Sequence, residues 1–227
     1  MIVAIWAEIE EEFTWRIDEL RILRNQIEQL NNEDSKRILR RSTLLMMYAH
    51  FEGFFKFSFH LYIKTINQKN LPCGEVNTHL LVSAFNDIFK DLRNPSSKSR
   101  IFSRALPDDG KLHSLARSVE FLDNLQLNLT RTVSIPESVV DTESNLKPVV
   151  LKKILFMLGL DYEMFSDEQS DINRLLSVRN KIAHGESRSG LEKSDFNKLY
   201  DLTFSLLRTI KTKIMSSITK EEFKKVP

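Results

Sequence analysis

Apolar residues return every three or four positions from the start of the chain: Ile2, Ile5, Trp6, Ile9, Phe13, Ile17, Leu20, Leu23, Ile27 and Leu30. That period predicts a long amphipathic helix running to the polar break at Asn31-Asn32-Glu33-Asp34. Asp34 or Ser35 is placed to cap a second helix reaching about Asn67. Its middle, LLMMYAHFEGFFKFSFHLY, is apolar almost all round. A helix without a polar face has to be covered on several sides, so this one is expected at the centre of the fold.

Leu71-Pro72-Cys73-Gly74 reads as a turn, followed by a helix from about Glu75 to Leu92. Asn94-Pro95-Ser96-Ser97-Lys98-Ser99 breaks the pattern. From there to about Asn145 the periodicity is weaker, with a helix over Leu112 to Leu125 and an irregular crossover in TVSIPESVVDTESN. Leu146 to Leu158 is helical and stops at Gly159, a residue suited to a left-handed C-terminal cap. Ser166 or Ser170 opens a helix through His184, ended by Gly185. Ser189 with Glu192, or Ser194, then starts a last helix toward Lys225. No segment has the length or composition of an interdomain linker. The expectation is one all-α domain over residues 1–227, an antiparallel helical bundle with residues 94–145 as a helical and irregular elaboration.

Composition agrees with this and narrows the chemistry. Only 6 glycines and 6 prolines interrupt 227 residues, which favours long helices. The formal net charge is +2, so contact with nucleic acid has to come from a local grouping of basic side chains. A single cysteine, Cys73, excludes an intrachain disulfide and a cysteine-rich metal site. The opening MIVAIWAEIEEEF meets acidic residues early and has no basic leader, so neither a signal peptide nor a membrane span is expected there. The chain reads as cytoplasmic and not membrane-bound.

The helix DINRLLSVRNKIAHG offers Leu175, Leu176, Val178 and Ile182 to the core and Arg179, Asn180, Lys181 and His184 to the other side. Asn180 and His184 are four apart and share a face. Arg179 and His184 are five apart, about 140° of rotation on an ideal helix, so the two converge only through the length of arginine. An imidazole can take or give a proton near neutrality, and the carbonyls of a helix C-terminus complement its charged form. A guanidinium can hold a phosphodiester by two oxygens and stabilise the extra charge of its transition state. The pair suits metal-independent RNA cleavage by the substrate's own 2′-hydroxyl, which DNA lacks. The duller alternative is a surface arginine beside a capping histidine.

RNKIAHGE resembles the signature of the HEPN superfamily: arginine, a polar residue directly after it, and a histidine closing a short spacing. Arg179, Asn180 and His184 match those positions. YAHFEGFFKFSFHLY and NLKPVVLKKILFMLGL resemble more narrowly the MAE-type bacterial HEPN proteins, a likeness covering about Ile5 to Ile214. The resemblance implies a helical bundle that dimerises so that two arginines and two histidines line one cleft. It also implies a ribonuclease toxin of a toxin–antitoxin or phage-defence system. The expected catalytic residues are Arg179, His184 and Asn180, with an RNA substrate and an antitoxin or other regulatory protein as partners. The alternative within the same family is a non-catalytic module binding RNA, a nucleotide or a protein.

Lys181 and Arg188 flank the motif and are the basic residues best placed to touch RNA phosphates. Glu52 is an acid inside the most apolar stretch and needs a partner, either Arg179, which it would orient, or a backbone group or Lys56. His50, His60, His79 and His113 have no metal-ligand spacing, so neither a metal nor another cofactor is expected. His50 and His60 read as core or interface residues. The arginines at 37, 40 and 41 and the lysines at 147, 152 and 153 read as solvated faces.

Overall fold

The structure, a computed structural model, describes residues 2–102, 109–186 and 191–225. Among these residues the secondary structure is nine α-helices and two short 3-10 turns, with no β-strand. The helices are α1 (Ile2–Gln29), α2 (Glu33–Gln68), α3 (Thr78–Ala84), α4 (Asn86–Arg93), α5 (Gly110–Asp123), α6 (Leu125–Thr130), α7 (Pro148–Met157), α8 (Gln169–Ala183) and α9 (Lys193–Thr219). The all-α architecture read from the periodicity is the one observed. The chain divides into two compact units, one of Met1–Tyr62, Val140–Phe156 and Leu160–Glu221, the other of Ile63–Val139, Met157–Gly159 and Glu222–Pro227.

In the first unit α2 buries Met47, Tyr48, His50, Phe51, Phe54, Phe55 and Phe59, which cover about half of its circumference, while Ala49 and Lys56 are exposed on the opposite side. An arc that broad is what demands more than one neighbour. Phe55 meets Phe165 at 5.4 Å between ring centroids, and Phe13 of α1 meets Phe54 at 5.8 Å. α9 packs against α1 and α8, contributing Leu206, Leu207, Ile210 and Ile214 to the core. Of the arginines expected on a solvated face, Arg40 does otherwise, while Arg37 forms an exposed ion pair. Arg40 is buried, pairs with Glu33 at 2.8 Å and donates to the Leu191 carbonyl, and Arg37 pairs with Glu192 at 2.6 Å. The segment entering α9 is thereby tied to the start of α2.

The second unit is held by backbone pairings between segments distant in sequence and by one aromatic cluster. Cys73 N–H donates to the Arg131 carbonyl and Val133 N–H to that of Leu71, both at 2.8 Å. The Asn67 side chain spans the chain again, donating to the Ile135 carbonyl and accepting from the Ile135 N–H. Phe85, Phe89 and Phe121 meet with centroids 5.7–6.5 Å apart. The single helix expected over Glu75–Leu92 is instead a 3-10 turn, α3 and α4, because the backbone leaves the helical conformation at Phe85, whose ring is buried in this cluster.

Helix starts differ from expectation in who supplies the cap. Asn32 caps α2, its Oδ1 accepting from Ser35 N–H at 2.9 Å, so Asp34 and Ser35 lie inside the first turn. Glu168 precedes α8, and the Ser166 hydroxyl is drawn instead to Glu163. Glu192 precedes α9, while Ser189 lies outside the described residues.

Both glycines expected to end helices do so with left-handed backbone, Gly159 at φ 67° and Gly185 at φ 72°. At each, the residue after the glycine donates back across the last turn, Leu160 to Leu155 O at 3.0 Å and Glu186 to Lys181 O at 2.9 Å. Their surroundings differ. A Cβ at Gly159 would lie 2.6 Å from Asn77 Nδ2, on a side chain already engaged with Leu80 N–H and the Glu222 carbonyl, whereas a Cβ at Gly185 would meet nothing within 4 Å. Gly185→Ala should therefore cost about 1 kcal/mol, the left-handed penalty alone. Gly159→Ala should cost about 2–3 kcal/mol, adding displacement of a capping asparagine. Urea unfolding of the two variants checks this, and equal midpoints would contradict it.

Candidate functional site

The motif lies on the last two turns of α8. Ile172, Leu175 and Leu176 are buried and fix the rotation of the helix, which leaves Arg179 and Asn180 half-buried and Lys181 and His184 exposed. His184 is the C-terminal cap residue, its N–H donating to the Asn180 carbonyl at 2.9 Å. The reversal at Gly185 begins directly beyond it, so the imidazole stands at the helix rim. Asn180 lies one turn back on the same face, as its spacing required. Arg188 lies outside the described residues.

Arg179 is the most constrained member. Its guanidinium sits 4.8 Å above the Tyr48 ring. Its Nη1 donates to Asn145 Oδ1 at 3.1 Å and to Asn180 Oδ1 at 2.8 Å. Stacking and two amide acceptors fix the plane of the guanidinium, while Nε and Nη2 carry its other three donors. The arginine is thus aimed before any ligand arrives. The neighbour in sequence that matters is Asn180, and its amide oxygen is turned toward Arg179.

Two residues of this arrangement were not singled out from the sequence. Tyr48 is buried on α2, and its hydroxyl oxygen accepts from Leu146 N–H at 2.9 Å. Burial first, then the charge of Glu52 one turn along α2, pushes its phenol up to about 12, with the hydroxyl donating to the Glu52 carboxylate. The phenol is neutral at physiological pH and acts as a platform. Asn145 follows two consecutive non-glycine residues with left-handed backbone, Glu143 at φ 49° and Ser144 at φ 68°. Such residues carry strain of about 1–3 kcal/mol each, and here they close the turn that delivers Asn145 to Arg179 and Leu146 to Tyr48. The available sequence signals were faint: a tyrosine four residues before the one acid in the apolar helix, and an asparagine closing an irregular crossover.

Glu52 and Arg179 both engage Tyr48, Glu52 at the hydroxyl and Arg179 over the ring, so the acid is linked to the arginine through the tyrosine. The other histidines serve elsewhere. His50 is buried, 2.6 Å from Glu19 and edge-on to Trp15, and burial holds it below its usual titration range against the opposing pull of Glu19. His113 accepts from Ser99 N–H through Nδ1. Among the described residues no three His, Cys, Asp or Glu side chains group as a metal site, and no helix is long and apolar enough to cross a membrane.

The raised Tyr48 phenol sets a direction for alkaline stability. A group whose folded pKa lies above its unfolded value stabilises fully below the unfolded value, near 10, and ceases to do so above the folded one. The stability advantage of wild type over Tyr48→Phe should therefore shrink between pH 9.5 and 11.5, measured by urea midpoints. A constant gap would place the phenol in an ordinary environment.

Comparison with known proteins bears on the whole of this arrangement. No curated protein and no solved structure matches the chain. One family does, described as RiboL-PSP-HEPN, over residues 11–216. That span holds α8, the Tyr48 platform and the Asn145 turn. The MAE-type likeness stays a resemblance of the two segments that carry it. The chain belongs to the RiboL-PSP-HEPN family, within the HEPN superfamily that its arginine–asparagine–histidine motif had suggested.

Proposed function

We propose that the protein is a metal-independent endoribonuclease of a bacterial toxin–antitoxin or phage-defence system, acting through Arg179, Asn180 and His184. The observation that carries this reading is a guanidinium held in plane on the last turns of α8, the helix that an exposed histidine caps. Fixed donors act on charge that develops during reaction without having to reorganise, which is where most electrostatic catalysis comes from.

The reaction would follow from those parts. The 2′-oxygen of the substrate attacks the neighbouring phosphorus, the bond to the 5′-oxygen breaks, and the products carry a 2′,3′-cyclic phosphate and a 5′-hydroxyl. Nε and Nη2 of Arg179 would bind the non-bridging oxygens as their charge rises. One proton must leave the 2′-hydroxyl and one must reach the 5′-oxygen. A single His184 supplies one of those roles at a time, so two copies facing each other across a two-fold axis would divide the work. Asn180 would hold Arg179 in place, and Lys181 and Arg188 would meet flanking phosphates.

The non-catalytic reading has an observation of its own. A guanidinium engaged by two amides and a ring is also what a purely structural arginine looks like. Cleavage of RNA in EDTA separates the two. Arg179→Ala and His184→Ala should each lower the rate by at least about 100-fold relative to wild type. Asn145→Ala should lower it by about 10-fold, since Asn180 and Tyr48 still hold the arginine. Equal background cleavage by wild type and both motif variants would exclude the enzyme. A monomer by sedimentation would exclude the shared cleft.

A further inference from the structure

A second basic arrangement lies apart in sequence from the motif, on the paired helices α1 and α9. Tyr200, Phe204 and Arg208 are spaced by four and form one stripe on α9. Arg21 and Arg24, one turn apart on α1, face that stripe across an open groove of about 630 Å³. Tyr200 and Phe204 stack on each other at 4.7 Å between centroids. Arg24 lies over the Tyr200 ring at 4.7 Å, and Arg21 lies toward the Phe204 ring at 5.9 Å. Burial raises the Tyr200 phenol, with Arg24 opposing the shift.

As Tyr48 does for Arg179, the rings hold two arginines near the groove: Arg24 also donates to the Tyr200 hydroxyl, and Arg21 to Asp18 at 3.2 Å. The chain as a whole is nearly balanced, with 33 basic and 31 acidic side chains, yet this groove is lined by three arginines against one acid, Asp201. The Arg21–Asp18 pair is exposed on both sides and weak enough for a phosphate to replace. The Asp201 carboxylate offers hydrogen-bond acceptors, which suit a ribose hydroxyl or a base N–H beside the phosphates.

We propose that the α1–α9 groove binds the backbone of single-stranded RNA, with Arg21, Arg24 and Arg208 on successive phosphates and Phe204 beside a base. Resting on the ribonuclease reading, this makes the groove a holding site for substrate outside the motif. Single strands suit it because their backbone can follow a groove and their bases are open to stacking.

The test uses the full chain carrying His184→Ala, so that RNA survives, and a fluorescein-labelled 12-nucleotide RNA read by anisotropy from 50 to 300 mM KCl. Adding Arg21→Gln, Arg24→Gln and Arg208→Gln together should weaken binding at least tenfold at 100 mM salt. The slope of log Kd against log salt should fall by about 2, at roughly 0.7 per phosphate released. Lysine at the same three positions should restore the slope and only part of the affinity. Inorganic phosphate or AMP at 5 mM should not displace the strand, and displacement would mean a small-anion site instead. Arg208→Gln alone, at an exposed position, should weaken binding about threefold and guards against misfolding of the triple variant. Unchanged affinity and slope in both overturn the proposal. Cleavage of the same RNA by protein with His184 intact is scored separately. If it fails while binding depends on the arginines, the ribonuclease reading falls and the groove stands. If it proceeds equally with and without them, the groove falls and the enzyme stands.

Discussion

Between Met47 and Phe59, α2 buries a broad arc of large apolar side chains, about half of its circumference, and only the side carrying Ala49 and Lys56 meets water. That arc is covered in part by Phe13 of α1 and by Phe165, and α8, which packs against α9, reaches α2 through Arg179. Burying the arc also puts a polar-tipped ring, Tyr48, under cover, where the hydroxyl must find partners. It finds Leu146 N–H and Glu52, and its free face receives Arg179. The aim of the guanidinium is thus a by-product of solving a burial problem.

Arginine does three different things here, and the surroundings rather than the residue decide which. Arg40 is buried and spends its donors on Glu33 and a carbonyl, joining chain segments. Arg179 is half-buried, held in plane by a ring and two amides. Arg21, Arg24 and Arg208 line an open groove, two of them beside aromatic rings. Net charge hides all three, because they are offset by acids elsewhere in the chain.

Periodicity made most of the fold legible. α1, α2 and α7 to α9 are long or strongly patterned, and most of what they bury lies on the expected positions, although Ile2, Trp6, Val149 and Phe156 are exposed. The same reasoning ran α3 and α4 together, because a helix-to-helix bend at a buried phenylalanine leaves the three-to-four spacing intact. Helix starts were misjudged where an asparagine or glutamate stood just upstream of the favoured serine. At the site, Arg179, Asn180 and His184 could be found because they sit close in sequence on one helix. Tyr48 and Asn145 could not, since nothing local says that α2 and the crossover meet at an arginine more than thirty residues from either.

The turn at Glu143 and Ser144 has a consequence for how this chain can vary. One tight reversal sets the position of both Asn145 and Leu146, and these serve different partners, Arg179 and Tyr48. Residues on the surface of the crossover are free to change in kind, but the count of residues between Asp141 and Pro148 is not. A single insertion there would shift the amide from the guanidinium and the N–H from the phenol together. The segment that looks least ordered in the sequence is therefore the one whose length is most tightly ruled.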